Sequence, residues 1–165
     1  MLLLQKRPPH VTIPVPWIAL ARGLCEGFAA QFEREGRFVH YVDPTTGATI
    51  VGGSCAASLA PAGMALAARY FAEPRYLAAA TGAAAVYDDQ FVKQGITNGG
   101  PGDIYQCIDS ESCAALVDSF AVLFEETGDQ RWLEGGYAPR TWRRPGPCPT
   151  ISPSRPNRRW ASSTR

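Results

Sequence analysis

The pattern of apolar positions along the chain predicts a mostly helical protein. From Trp17 the apolar residues Trp17, Leu20, Ala21, Leu24, Phe28 and Phe32 recur at threes and fours. Glu26, Glu33, Arg34 and Glu35 fall mostly on the opposite side, and Gly36 ends the run. This is the signature of an amphipathic helix with one face turned to a core. Pro14 and Pro16 suit an extended entry followed by a first helical turn. The period then changes. Two short β-rich runs, 38–42 and 48–51, flank Asp43-Pro44-Thr45-Thr46-Gly47, where turn residues stand as a hairpin requires. A two-stranded flap on a helical body is the simplest expectation.

A second helix is expected near Cys55–Phe71. Pro61 lies inside that segment, which places an alternative helix start there. Its core face would carry Leu59, Gly63 or Met64, Leu66, Ala67 and Tyr70. A third helix, from Arg75 to about Lys93, places Tyr76, Leu77, Ala80, Ala84, Tyr87 and Phe91 in phase, and its alanine-rich middle predicts close helix packing. Residues 95–108 form a loop around Gly99-Gly100-Pro101-Gly102. A fourth helix spans Ser110–Thr127, with Asp109 or Ser110 at its N-cap and Glu111 in its first turn. Arg131-Trp132-Leu133 opens a fifth, which Gly135-Gly136 should interrupt.

An internal repeat runs through this order. Ala67 to Phe71, followed by Pro74-Arg75-Tyr76-Leu77, echoes Val122 to Glu126 followed by Gln130-Arg131-Trp132-Leu133, 56 positions later. Each reads as helix, tight turn, then Arg-aromatic-Leu opening the next helix. A period of this size suits a two-helix unit that buries its face against neighbouring units.

Composition divides the chain in two. Its 165 residues carry a formal charge of +1, but residues 1–138 contain all 15 acids, and residues 139–165 contain seven Arg, six Pro and no acid. That end also lacks Leu, Val, Phe and Lys, so it cannot bury enough apolar area to offset its ordering entropy. Its Arg, Pro, Ser and Thr bias resembles a GC-rich coding sequence read out of frame. A genuine disordered tail and a basic end for nucleic acid are the other two readings, and nucleic acid is not the expected partner. The domain is therefore 1–138, with 139–165 as a separate basic end.

No run of 18 apolar residues is present, so no membrane span is expected. Met1-Leu2-Leu3-Leu4 is too short for a secretory leader, and the chain is expected in the cytoplasm. Five cysteines (25, 55, 107, 113 and 148) form no CxxC pair, and only His10 and His40 could join them. No metal or cofactor is expected, and the thiols read as free and mostly buried.

The densest polar stretch is 97–112. Asp103, Asp109 and Glu111, with Asn98, Tyr105 and Gln106, are groups that hold and process sugar hydroxyls. Two carboxylates about 6.5–9.5 Å apart would serve inverting glycoside hydrolysis, one as acid and one as base for water. Asp88-Asp89 could complete such a pair. The structural alternatives are an Asp109 that only caps a helix, a Pro-Gly-Asp turn at Asp103, and solvated helix-end charges at Asp88 and Asp89. The glycine run is no phosphate loop, and no serine-nucleophile elbow is present. Tyr76, Tyr87 and Trp132 read as core aromatics.

Residues 52–133 resemble part of the six-hairpin glycosidase superfamily of (α/α)6 toroids. The resemblance is carried by Leu66 to Phe71 with Pro74 to Leu77, by Gly99-Gly100-Pro101-Gly102-Asp103, by Asp109-Ser110-Glu111-Ser112, and by Leu123 to Asp129 with Trp132-Leu133. It covers about half the chain. It implies hairpins around an axis, loops clustered at one end and acids there acting on an oligosaccharide or polysaccharide. Asp109 or Glu111 would be the general acid or base with Asp103 as partner, and Asn98, Tyr105 and Gln106 would contact sugar. Two to three hairpins are legible, so an incomplete and inactive piece is expected. A non-catalytic helical-repeat binding module is the rival reading. A polysaccharide lyase on a similar toroid is another, with His40, Tyr41 and Tyr105 as candidate bases.

Overall fold

The computed structural model describes residues 12–99 and 107–137. The chain is mainly helical with one small antiparallel sheet. In order, the elements are α1 (Val15–Glu35), β1 (Tyr41–Val42), β2 (Thr49–Val51), α2 (Ala60–Phe71), α3 (Pro74–Tyr87), a π-helical turn (Asp88–Val92), α4 (Glu111–Thr127) and α5 (Arg131–Tyr137). The helices α2–α3 and α4–α5 form two successive hairpins; α1 packs on α3, and α4 packs on α2.

Local chemistry accounts for the ends. Pro16 sits in the first turn of α1, and Gly36 adopts a left-handed conformation (φ 67°) while its N–H bonds the Phe32 carbonyl at 2.7 Å. The helix α2 starts at Ala60, with Pro61 in its first turn, as the position of that proline requires. In the flap, Asp43 Oδ1 accepts from the N–H groups of Thr45 and Thr46, both at 2.8 Å. These bonds hold its carboxyl below the usual range. The flap is tethered to the end of α1 by Arg34 Nη2, which donates to the Gly47 carbonyl, and by Thr49 Oγ1, which donates to Glu35.

The core is built from small residues around a few large ones. Ala79, Ala80, Ala83 and Ala84 of α3 are fully buried, which lets neighbouring helices approach closely. Gly82 is the tightest point: a Cβ there would overlap the ring of Phe32. Phe28 and Phe32 of α1 meet Phe38 edge-on at 4.9 and 6.2 Å. Tyr76 and Tyr87 are buried, and Trp132 is 3% exposed, so all three aromatics belong to the core as expected.

The 56-residue repeat is a repeat of geometry. Ala72 and Gly128 occupy equivalent left-handed turn positions, with φ 53° and 70°. Glu73 accepts from the N–H of Arg75, and Asp129 accepts from that of Arg131. Each acid thus closes the first turn of the second helix in its hairpin. Arg69 of the first hairpin pairs with Glu126 of the second at 2.7 Å.

Three expectations about faces are corrected. Trp17, Leu20 and Leu24 remain 60, 63 and 57% exposed, because only the C-terminal half of α1 reaches the core. Leu59 and Tyr70 are exposed as well, since α2 starts one residue after Leu59 and Tyr70 lies at its solvent-facing end. Gly135-Gly136 do not interrupt α5, which continues to Tyr137. Gly135 instead gives Phe120 and Asp88 room, since a Cβ there would stand 3.3 and 3.4 Å from them.

A charged cluster joins α1 to α3 and makes stability depend on acid. Arg75 contacts Glu26 at 2.6 Å and Glu33 through two nitrogens, and the Tyr76 hydroxyl donates to Glu26. That hydroxyl bond, then Arg75, holds the Glu26 carboxyl below its ordinary value, and Arg75 does the same for Glu33. A depressed folded-state pKa contributes stability that is present above the unfolded value and is lost as pH falls through the folded one. The advantage of the native protein over Arg75→Gln in thermal melts is therefore expected to be steady near neutrality and to close below about pH 4.5. An advantage that persists unchanged at pH 3 would show that it does not come from the ionised Glu26 and Glu33 carboxylates.

Candidate functional site

Three loops converge between the flap and the start of α4. Asn98 is the central connector. Its Oδ1 accepts from the Cys55 N–H at 3.2 Å, its own N–H donates to Cys55 Sγ at 3.1 Å, and its Nδ2 donates to the Gly53 carbonyl at 3.4 Å. Asn98 therefore knits the loop after β2 to the loop after the π turn, and its side-chain amide is spent on that task. Thr97 is buried and ties the same loop to the next. It accepts from the Asp109 N–H at 3.1 Å and donates through Oγ1 to the Asp109 carbonyl at 2.5 Å. Gly99 is packed so closely that a Cβ would overlap Ser112 Oγ and stand 2.6 Å from the Ala56 nitrogen.

Asp109 has two distinct oxygens in this junction. Oδ1 accepts from the Ser112 N–H at 2.6 Å and caps α4. Oδ2 is buried and has no hydrogen-bond partner among the described residues. Between the two capping alternatives, Asp109 supplies the side chain, while Ser110 stands at the N-cap position with no side-chain bond. Glu111 is exposed in the first turn of α4, where its charge favours the helix dipole. Asp103, Tyr105 and Gln106 lie outside the described residues.

The pair Asp88-Asp89 sits in the π-helical turn. Both carboxylates are taken up by Lys93, at 3.2 and 2.5 Å. Their ion pairing answers to the structural alternative, charged residues at a helix end. The widened turn lets Tyr87 and Phe91 both point inward after α3.

Cys55, Thr97 and Ser112 were given no site role from the sequence, and they hold the junction together. Cys55 is fully buried, and burial pushes its thiol up, with the Asp109 charge adding to the effect. A thiol in that state is a packing and hydrogen-bonding group, not a nucleophile. No local motif announces Cys55, because its contact with Asn98 joins positions 43 apart in the chain. His40 lies at the edge of the same region: its Nδ1 and Ser54 Oγ are 3.0 Å apart, and its ring stacks on Tyr41. Among the described residues no group of three or more His, Cys, Asp or Glu is placed to hold a metal ion. No helix among them is long and apolar enough to cross a membrane.

The junction thus holds one buried carboxylate oxygen that has no hydrogen-bond partner among the described residues. No family model, curated protein or solved structure was found to match this chain.

Proposed function

We propose that the chain is part of a carbohydrate-processing protein of the glycoside hydrolase type, its hairpins arranged as in an (α/α)6 toroid and its chemistry centred on Asp109. The observation that supports this reading most is the division of labour in that one carboxylate. Oδ1 is fixed by the Ser112 N–H, which sets the rotamer, while Oδ2 is buried without a described partner. A buried oxygen of an acid with no partner carries a desolvation cost that a substrate hydroxyl, a water or a leaving-group oxygen would offset. Glu111 and Asp103 remain the partner carboxylates in this proposal, with Tyr105 and Gln106 near the sugar, while Asn98 holds the loops at the junction. The full chain, or the longer protein it belongs to, would hydrolyse an oligosaccharide with a bell-shaped pH profile.

The test is Asp109→Asn assayed on a glycan panel. Asparagine retains an oxygen for the Ser112 N–H, so the cap and the fold should survive, as circular dichroism and melting would verify. Turnover should be lost, because the amide can neither give nor take the proton. Undiminished hydrolysis by the Asn variant would leave Asp109 a cap and remove it from the chemistry.

A second reading, a non-catalytic helical-repeat module, is favoured by Asn98 and Glu111. The first is occupied in holding loops together, and the second stands exposed in the first turn of α4. That reading expects saturable glycan or protein binding with no turnover at any pH.

A further inference from the structure

The two hairpins differ in one respect that the repeat makes visible. A cavity of about 230 Å³ opens on the second hairpin between α4 and α5, lined by Val117, Phe120, Ala121, Trp132, Leu133 and Gly136. Fifty-six positions earlier stand Pro61, Met64, Ala65, Tyr76, Leu77 and Ala80. In the first hairpin five of these six are buried, and Leu77 is partly so. The contrast is sharpest at two positions. Val117 is 39% exposed where its counterpart Pro61 is fully buried, and Ala121 is exposed where Ala65 is 1% exposed.

The first hairpin shows what belongs on such a surface. The helix α4 lies on α2, and its buried residues Leu116, Ser119, Phe120 and Leu123 fall at i, i+3, i+4 and i+7. That spacing is one face of an amphipathic helix. Ser119 is the polar anchor of the interface. Its hydroxyl accepts from the Ala62 N–H at 3.3 Å and donates to the Ser58 carbonyl at 2.6 Å. That anchor has no counterpart on the second hairpin. The position equivalent to Ala62 is Asp118, which lies well inside α4, whereas Ala62 is in the first turn of α2, where N–H groups need outside acceptors. At the second seat the exposed Asp118 carboxylate therefore stands where the first seat offers that N–H.

We infer that the groove between α4 and α5 is a docking seat for an amphipathic α-helix that presents Leu, Ser, Phe and Leu at the spacing found in α4, in continuation of the interface that α4 makes with α2. The inference stands on the repeat and its burial pattern, and does not depend on the carbohydrate reading. An exposed apolar surface rimmed by the polar residues of two helices is the usual form of such a seat. Its floor is rigid. Trp132 stacks on the Phe120 ring, 5.6 Å away, and the Arg131 guanidinium lies over the indole at 4.0 Å.

The probe is a synthetic peptide of this chain's own residues 110–127, labelled at its N-terminus and titrated with the full chain. Saturable binding is expected, weakened at least about tenfold by Val117→Glu or Ala121→Glu. Both positions are exposed, so these variants should keep the native circular dichroism spectrum and melting temperature. A peptide with Leu116 and Phe120 replaced by Glu should not bind. Absence of saturable binding overturns the proposal. So does binding that neither groove variant weakens, since that would place the peptide elsewhere, such as on the exposed Trp17, Leu20 and Leu24 of α1. A chain dimer that Val117→Glu dissociates and the peptide fails to displace would assign the groove to a second copy, and would overturn it as well.

Discussion

Replacing Trp132 with alanine is expected to destabilise the protein by about 3–5 kcal/mol, the cost typical of emptying a buried large aromatic site. Two ring contacts are lost together with the buried area. The indole is 3% exposed, stacks on Phe120 with ring centroids 5.6 Å apart, and has the Arg131 guanidinium 4.0 Å from its ring centroid. Removing it undoes the joint between α4 and α5, and α5 is only seven residues long, too short to persist without that packing. Trp132→Phe should cost markedly less. The indole Nε1 is buried with no acceptor among the described residues, so phenylalanine discards an unsatisfied donor along with the lost volume. Urea unfolding read by far-ultraviolet circular dichroism would measure both variants. A loss below about 1 kcal/mol for the alanine variant would mean that α5 is not part of the cooperative core.

The second large effect is expected from one added methyl group. Gly82→Ala should destabilise by about 1–3 kcal/mol through overpacking, because its Cβ would overlap the Phe32 ring where α1 crosses α3. Helix propensity alone predicts the opposite sign, since alanine is favoured over glycine inside a helix by about 1 kcal/mol. Gly63→Ala supplies the control. It lies inside α2 with nothing within 4 Å of its would-be Cβ, and it should stabilise by up to about 1 kcal/mol. If both variants shift the unfolding midpoint in the same direction, α1 does not pack on α3 as closely as the structure has it.

Much of the fold could be read from local rules. The helix ends at Gly36, Pro61 and Gly128 follow from residues whose allowed dihedral angles leave few choices. The flap follows from a turn in which Asp43 can bond two successive N–H groups. The repeat was legible because each tight turn needs an acid and a following Arg-aromatic pair, and the chain contains that set twice.

The candidate site was legible only in part. Asp109 could be placed at a helix start, and the structure puts it there. Asn98 was singled out for sugar and is instead occupied with Cys55 and Gly53, since an asparagine beside a glycine run looks the same whether it faces a ligand or a neighbouring loop. Asp88 and Asp89 were candidates for chemistry whose partner, Lys93, stands four and five residues on in a helical turn that widens.

The amino-acid sequence by itself determined the helices, the flap and the period of the hairpins, because these depend on contacts within a few residues and on dihedral preferences. The tertiary structure alone decided which apolar faces are covered. Trp17, Leu20 and Leu24 carry the same periodic signal as Phe28 and Phe32, and Val117 the same signal as Leu116 and Phe120. Burial depends on whether another element reaches that height of the helix, and periodicity holds no information about where the neighbours stop.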